Sequence, residues 1–168
     1  FSRRFLSRLA RHDHPDLMAL TLAYRSLNLV CLGELDKSLR PIQEALNLAE
    51  RHGFFYLLPI IKSYEMGVQI YLGQHQEAAE IGQAMLKFHE STGSPMPLGI
   101  TYFNLAMNAY HQGDLPAAAA MIKKSGQWLS SREGTARGFL YFQTFLAGNI
   151  ARHRGEDCRA ALEEVNEW

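Results

Sequence analysis

Glycine punctuates this chain at a nearly constant interval, and that interval limits what the chain can fold into. The pieces Leu32-Gly33-Glu34-Leu35, Leu72-Gly73-Gln74-His75, Gln112-Gly113-Asp114-Leu115 and Arg154-Gly155-Glu156-Asp157 have glycines separated by 40, 40 and 42 residues. A second mark falls midway: His52-Gly53, Thr92-Gly93 and Glu133-Gly134 stand 40 and 41 residues apart, with His12-Asp13 one period earlier. Two turn signals per period, kept in register, describe a unit of two short elements repeated along the chain.

The segments between turns have the apolar spacing of helices. In the second half of each period the apolar positions are Leu39, Ile42, Leu46 and Ala49, then Ala78, Ile81, Met85 and Phe88. The next period gives Ala118, Ile122, Ser125 and Leu129, with Met121 and Trp128 widening the stripe. Asp36 and Asp114 are placed to accept from the free amides of a helix start, and Pro116 sits in a first turn, where its missing N–H costs little. Pro15, Pro95 and Pro97 mark the starts of first helices. Gly53, Gly93 and Gly134 follow helix ends, where a left-handed backbone is wanted. Pro41 and Pro59 fall a turn into their expected helices and predict either a start shifted downstream or a kink. No segment alternates β-branched residues, so no strand is expected. Each two-helix unit has an apolar face that it cannot bury alone, and stacking the units makes one continuous core. The expected architecture is one all-α domain over 1–168, with units near 14–53, 54–93, 94–134 and 135–168. Residues 1–13 read as the tail of a preceding helix, and the helix after Gly155 reads as cut short.

The third unit carries Tyr102, Leu105, Ala106, then Tyr110-His111-Gln112-Gly113-Asp114, then Ala118 and Ile122. This pattern resembles the tetratricopeptide repeat: a large aromatic, a Leu–small pair, a Tyr-x-x-Gly turn with the tyrosine one place off, and the small residue of the second helix. The other units keep less of it: Ile42 and Ala45, Ala78, and Gly148 with Ala160. The resemblance implies a right-handed superhelical solenoid of antiparallel helix pairs. The period of about 40 exceeds the usual repeat of roughly 34 residues. Longer, degenerate repeats of this kind resemble the helical-repeat regions of large ATP-dependent LuxR-type bacterial transcriptional activators. There the array takes up an inducer or a regulatory protein. The ATPase and DNA-binding parts have no counterpart here, since the chain has no GxxxxGK[ST] loop and no basic recognition helix.

In tetratricopeptide arrays the first helices line a concave face. The corresponding positions here are Leu27, Val30 and Cys31, then Ile70 and Tyr71, then Phe103, Met107, Tyr110 and His111, then Phe145, Asn149, Arg152 and His153. Tyr71, Phe103, Met107, Tyr110, Phe145 and Asn149 are the candidate anchors of a partner or ligand groove. The lining lacks the Lys/Asn/Arg set with which co-chaperone members of that family grip a C-terminal carboxylate. Two occupants fit an apolar, aromatic groove: a protein or peptide partner, or a small inducer with Asn104, Asn108 or Asn149 as polar anchors. If the longer repeats wind tightly, the same residues pack as extra core.

Composition excludes several other classes. Lys+Arg and Asp+Glu are 17 each and the pI is near 7.2, so overall charge gives no reason to expect nucleic-acid or membrane-surface binding. No stretch reaches the roughly 18 apolar residues of a membrane span, and no signal peptide opens the chain. Cys31 and Cys158 are distant, suit a reducing compartment, and take small buried apolar roles by default; a cytoplasmic location is expected. The chain opens at Phe1, which suggests a piece of something longer. His12-Asp13-His14-Pro15-Asp16 is the densest group of potential metal ligands, but Asp, His and Pro are ordinary turn residues. The basic start, Arg3, Arg4, Arg8 and Arg11, reads as a solvated helix face. No nucleophile–base set is assembled, so the expectation is a non-enzymatic interaction module without metal or cofactor.

Overall fold

The computed structural model describes residues 14–92, 95–129 and 137–159. They form seven helices: α1 (Pro15–Cys31), α2 (Leu39–Arg51), α3 (Leu58–Tyr71), α4 (His75–Thr92), α5 (Pro95–His111), α6 (Leu115–Leu129) and α7 (Arg137–His153). A 3₁₀ turn, Leu35–Lys37, precedes α2, and no strand occurs among the described residues. The protein is all-α. The expected tail over residues 1–13, the turns at Gly93 and Gly134, and Ala160 lie outside the described residues.

Glycine ends the helices as the sequence requires. Gly33, Gly73, Gly113 and Gly155 have φ of 74°, 74°, 77° and 73°, and Gly53 has 68°. Each is closed the same way. The glycine N–H donates to the carbonyl three residues back, as Gly113 does to Tyr110 (3.0 Å). The next N–H donates five residues back: Glu34 to Leu29, Phe54 to Ala49, Gln74 to Gln69, Asp114 to Ala109 and Glu156 to Ala151, all at 2.8–2.9 Å. This is the Schellman pattern, which satisfies the last carbonyls of a helix and reverses the chain.

The helix starts are less uniform. Asp114 accepts from the Ala117 amide at 3.0 Å and caps α6, as expected. Asp36 does not cap α2. It sits within the 3₁₀ turn, and α2 begins only at Leu39. This later start accommodates Pro41, now in the first turn, where its missing N–H removes no intrahelical hydrogen bond. Pro59 is likewise the second residue of α3.

The chain divides into two compact units, Phe1–Ala78 and Ala79–Trp168. In the first, α1, α2 and α3 each pack against the other two. Their core comprises Ala19, Leu22 and Ala23 of α1, Ile42, Ala45, Leu46 and Ala49 of α2, and Leu57 and Ile61 at the start of α3. The alanines let the helix axes approach. Ser26 of α1, fully buried, donates its hydroxyl to the Ser38 carbonyl, which removes the penalty of burying it.

The second unit repeats the plan with α5, α6 and α7 in mutual contact. Its core is Ala106, Ala118, Ile122, Leu146 and Ile150. Gly99, early in α5, meets Leu129, the last residue of α6, and buried Ser125 donates to the Gly99 carbonyl at 2.8 Å. In α4 the apolar stripe is turned from its expected register. Phe88 is 52% exposed and His89 is 2% exposed. Both stand at helical spacing from Met85, so spacing alone did not separate them.

Candidate functional site

Two of the expected lining residues and one expected polar anchor are core. Val30 and Ile70 are buried, and Asn108 is buried in α5. Conversely Cys31, expected to be a small buried group, is exposed at the end of α1, and Cys158 is partly exposed. The six candidate anchors divide between the units: Tyr71 ends α3 in the first, and the other five belong to α5 and α7 in the second.

In the first unit α1 and α3 present an aromatic face. Tyr24 and Tyr71 are each about half exposed. The Tyr24 and Tyr64 rings lie 5.0 Å apart between centroids, tilted by 51°. Burial raises the Tyr64 phenol well above the usual tyrosine range, and the Tyr24 hydroxyl beside it adds to the rise. Tyr71 is raised first by burial and then by the nearby Cys31 thiol. Both phenols therefore stay neutral at ordinary pH and can exchange hydrogen bonds without carrying charge. Sequence reasoning missed Tyr24 and Tyr64; they are nine residues before Gly33 and Gly73, so the repeat register would have found the pair.

In the second unit the helix faces are graded in exposure. Phe103, Met107 and Tyr110 of α5 are half-buried against the core of Ala106, Ile122, Leu146 and Ile150. They are neither bare nor interior, so they belong partly to the fold and partly to the surface. On α7, Phe145 is 54% exposed and Phe142, missed in the sequence, is 59% exposed. Phe142, Phe145, Asn149 and Arg152 follow one another at spacings of three and four, which aligns them along one side of the helix. Leu146 and Ile150 occupy the buried side. Tyr110 and His153 join the ends of α5 and α7: the phenol oxygen and Nε2 are 3.4 Å apart, and the ring centroids are 5.6 Å apart. Asn149 donates its amide to the Phe145 carbonyl at 3.0 Å.

Among the described residues, no group of three or more His, Cys, Asp and Glu stands together as a metal site would require. His12 and Asp13 lie outside the described residues. No helix among the described residues is long and apolar enough to cross a membrane. Comparison with known proteins finds no matching family model, no similar curated protein and no similar solved structure.

Proposed function

We propose that this chain is a non-enzymatic protein-interaction module, a tetratricopeptide-like array whose first helices present aromatic side chains to a partner. The observation that carries the reading is the exposure of Phe142 and Phe145 on one side of α7, while Phe103, Met107 and Tyr110 of α5 stay half-buried against the core that holds Leu146 and Ile150. Aromatic side chains grouped in this way are the usual anchors of binding surfaces. Support for the repeat architecture comes from the five matched Schellman turns and from the plan common to both units, in which a helix, its successor and the next helix pack together. An array of antiparallel pairs winding into a right-handed solenoid extends that plan. The period of about 40 residues favours the regulatory repeat segment of a larger bacterial signalling or transcriptional regulator over a short-repeat co-chaperone.

The competing reading, a small-molecule sensor, finds less support. Its polar anchors are already engaged: Asn149 bonds its own helix, and Asn104 and Asn108 have partners. The test is the affinity of the chain for an amphipathic helical peptide. Phe145→Ala should weaken binding by about 2 kcal/mol. Unchanged affinity would refute the role given to α7.

A further inference from the structure

A glycine inside a helix costs about 1 kcal/mol against alanine, so its presence calls for a reason. Gly67 lies in the interior of α3. Beyond its chain neighbours and its own helix backbone, no atom among the described residues stands within 4 Å of a Cβ built there. Packing within the chain therefore does not require the glycine. Nor does the repeat: six residues before the turn glycine, where α3 has Gly67, α1 has Leu27 and α5 has Met107. The surroundings of Gly67 are aromatic. Tyr64 and Tyr71 stand three residues before it and four after it, on the same side of α3. The Tyr24 ring of α1 lies against Tyr64, with centroids 5.0 Å apart. Tyr24 and Tyr71 are each about half exposed, and Tyr64 rests on the core. Gly67 thus forms the floor of a notch between two tyrosines, open to the close approach of a group from outside the chain.

We infer that this α1/α3 face takes a proline-rich segment of a partner protein in the polyproline II conformation, with one proline ring seated over Gly67. The inference rests on the reading of the chain as an interaction module, but its site is in the first unit and does not depend on the aromatic stripe of α7. Spacing supports this occupant first. Seven residues of helix place Tyr64 and Tyr71 about 10.5 Å apart along α3, and polyproline II repeats each edge every three residues, about 9.3 Å. An extended strand repeats each face at about 6.6 Å and then about 13 Å, and matches the pair less well. Hydrogen bonding supports it next. A helical segment has its carbonyls bonded internally, whereas polyproline II leaves them open, and proline has no N–H to satisfy. The face offers phenol donors to such a chain, and the hydrogen-bonded hydroxyls of Tyr24 and Tyr64 still have one proton between them to donate outward. Charge is consistent with a neutral occupant. The charged side chains of α1 and α3 are Asp16, Arg25, Lys62 and Glu65, two of each sign, and Lys62 pairs with Glu65 at 2.7 Å. None of them belongs to the tyrosine stripe. An acidic or basic partner finds nothing here to select it, while an aromatic groove recognises proline-rich chain without charge.

The test uses the full chain and three labelled peptides. Two are of about 12 residues, an oligoproline and a glycine–serine chain, and the third is a leucine-striped helical peptide of about 18 residues. Fluorescence anisotropy should show the oligoproline bound about tenfold or more tightly than the glycine–serine chain, with little change between low and high salt. Gly67→Leu fills the notch with the side chain that α1 has at the equivalent Leu27. It should weaken oligoproline binding about tenfold or more while the melting temperature holds or rises. Gly67→Ala should weaken binding in the same direction, and serves if leucine disturbs folding. Tyr71→Ala should weaken the oligoproline by about tenfold as well, and Phe145→Ala should leave it unchanged. Oligoproline bound as tightly by the glycine variants as by the parent overturns the notch as its site. Oligoproline bound no better than the glycine–serine chain overturns the inference and leaves the α7 reading standing on its own test. Loss of the helical peptide, and not of the oligoproline, in Gly67→Leu assigns the face to a partner helix and overturns the choice of polyproline II.

Discussion

Gly99 tests how closely α5 and α6 pack. A Cβ built on Gly99 lies 2.5 Å from Leu129 Cγ, 2.7 Å from Leu129 Cδ2 and 3.3 Å from Trp128 Cβ. Leu129 is 1% exposed, and its Cγ is a branch point close to the main chain, so it has little room to withdraw. Gly99→Ala therefore overpacks the junction, at about 1–3 kcal/mol. The change also gains up to about 1 kcal/mol of helix propensity. The overpacking term is the larger, and a net loss of about 1–2 kcal/mol is expected. Two other glycines serve as controls. At Gly126 the new methyl meets Gln143 Nε2 at 2.5 Å, but that is the tip of a flexible side chain whose bond to the Ile122 carbonyl is long, 3.4 Å. Gly126→Ala should be close to neutral. Gly67, inside α3, has nothing within 4 Å of an added Cβ. Gly67→Ala should stabilise the protein by roughly 0.5–1 kcal/mol. Urea unfolding of the three variants gives the order directly. Gly99→Ala as stable as the parent, or Gly67→Ala less stable than Gly99→Ala, would refute the packing described for α5 and α6.

At Gly113, with φ of 77°, a β-branched residue is strained, so Gly113→Val should lose on the order of 1 kcal/mol or more. Gly113→Asn should lose less, since asparagine tolerates this region, and thermal melts of the pair measure the difference. Burial lowers the His89 pKa below its ordinary 6.5. Below that pH the unfolded chain binds the proton more readily than the folded one. The stability His89 contributes is thus present above pH 6.5 and is lost as pH falls toward the folded value. Urea midpoints should decline between pH 7.5 and 5.5, and His89→Gln should decline less steeply. An equal slope in both proteins would remove His89 from the account.

The turns were the most legible part of this sequence, because only glycine adopts their backbone without strain. Gly33, Gly53, Gly73, Gly113 and Gly155 all have positive φ. The stripes of α2 and α6 were legible too: Ile42, Leu46 and Ala49, and Ala118, Ile122, Ser125 and Leu129, are all buried. Reading failed where two residues satisfied one spacing. Phe88 and His89 both fit the period of α4, and hydrophobicity favoured the phenylalanine that packing left outside. It failed again at Asp36, whose cap chemistry was sound but whose helix began three residues later, behind a 3₁₀ turn. For the candidate site, periodicity identified the helices but not the depth of each side chain. Val30 and Ile70 were assigned to the lining and are core, while Phe142 was overlooked. Burial depends on where the third helix of each unit lies, and a single helix's pattern does not contain that.

The central claim is that the aromatic stripe on α7 faces outward for binding while the fold rests on the residues beside it. Phe145 and Leu146 are adjacent, 54% and 4% exposed, and test the claim together. The measurement is the unfolding free energy of Phe145→Ala against Leu146→Ala in urea. Phe145→Ala should lose about 1 kcal/mol or less, since its ring stays half in water. Leu146→Ala should lose about 2–5 kcal/mol, as a core truncation does. A loss of about 3 kcal/mol or more from Phe145→Ala, matching its neighbour, would make the ring part of the core and contradict the account.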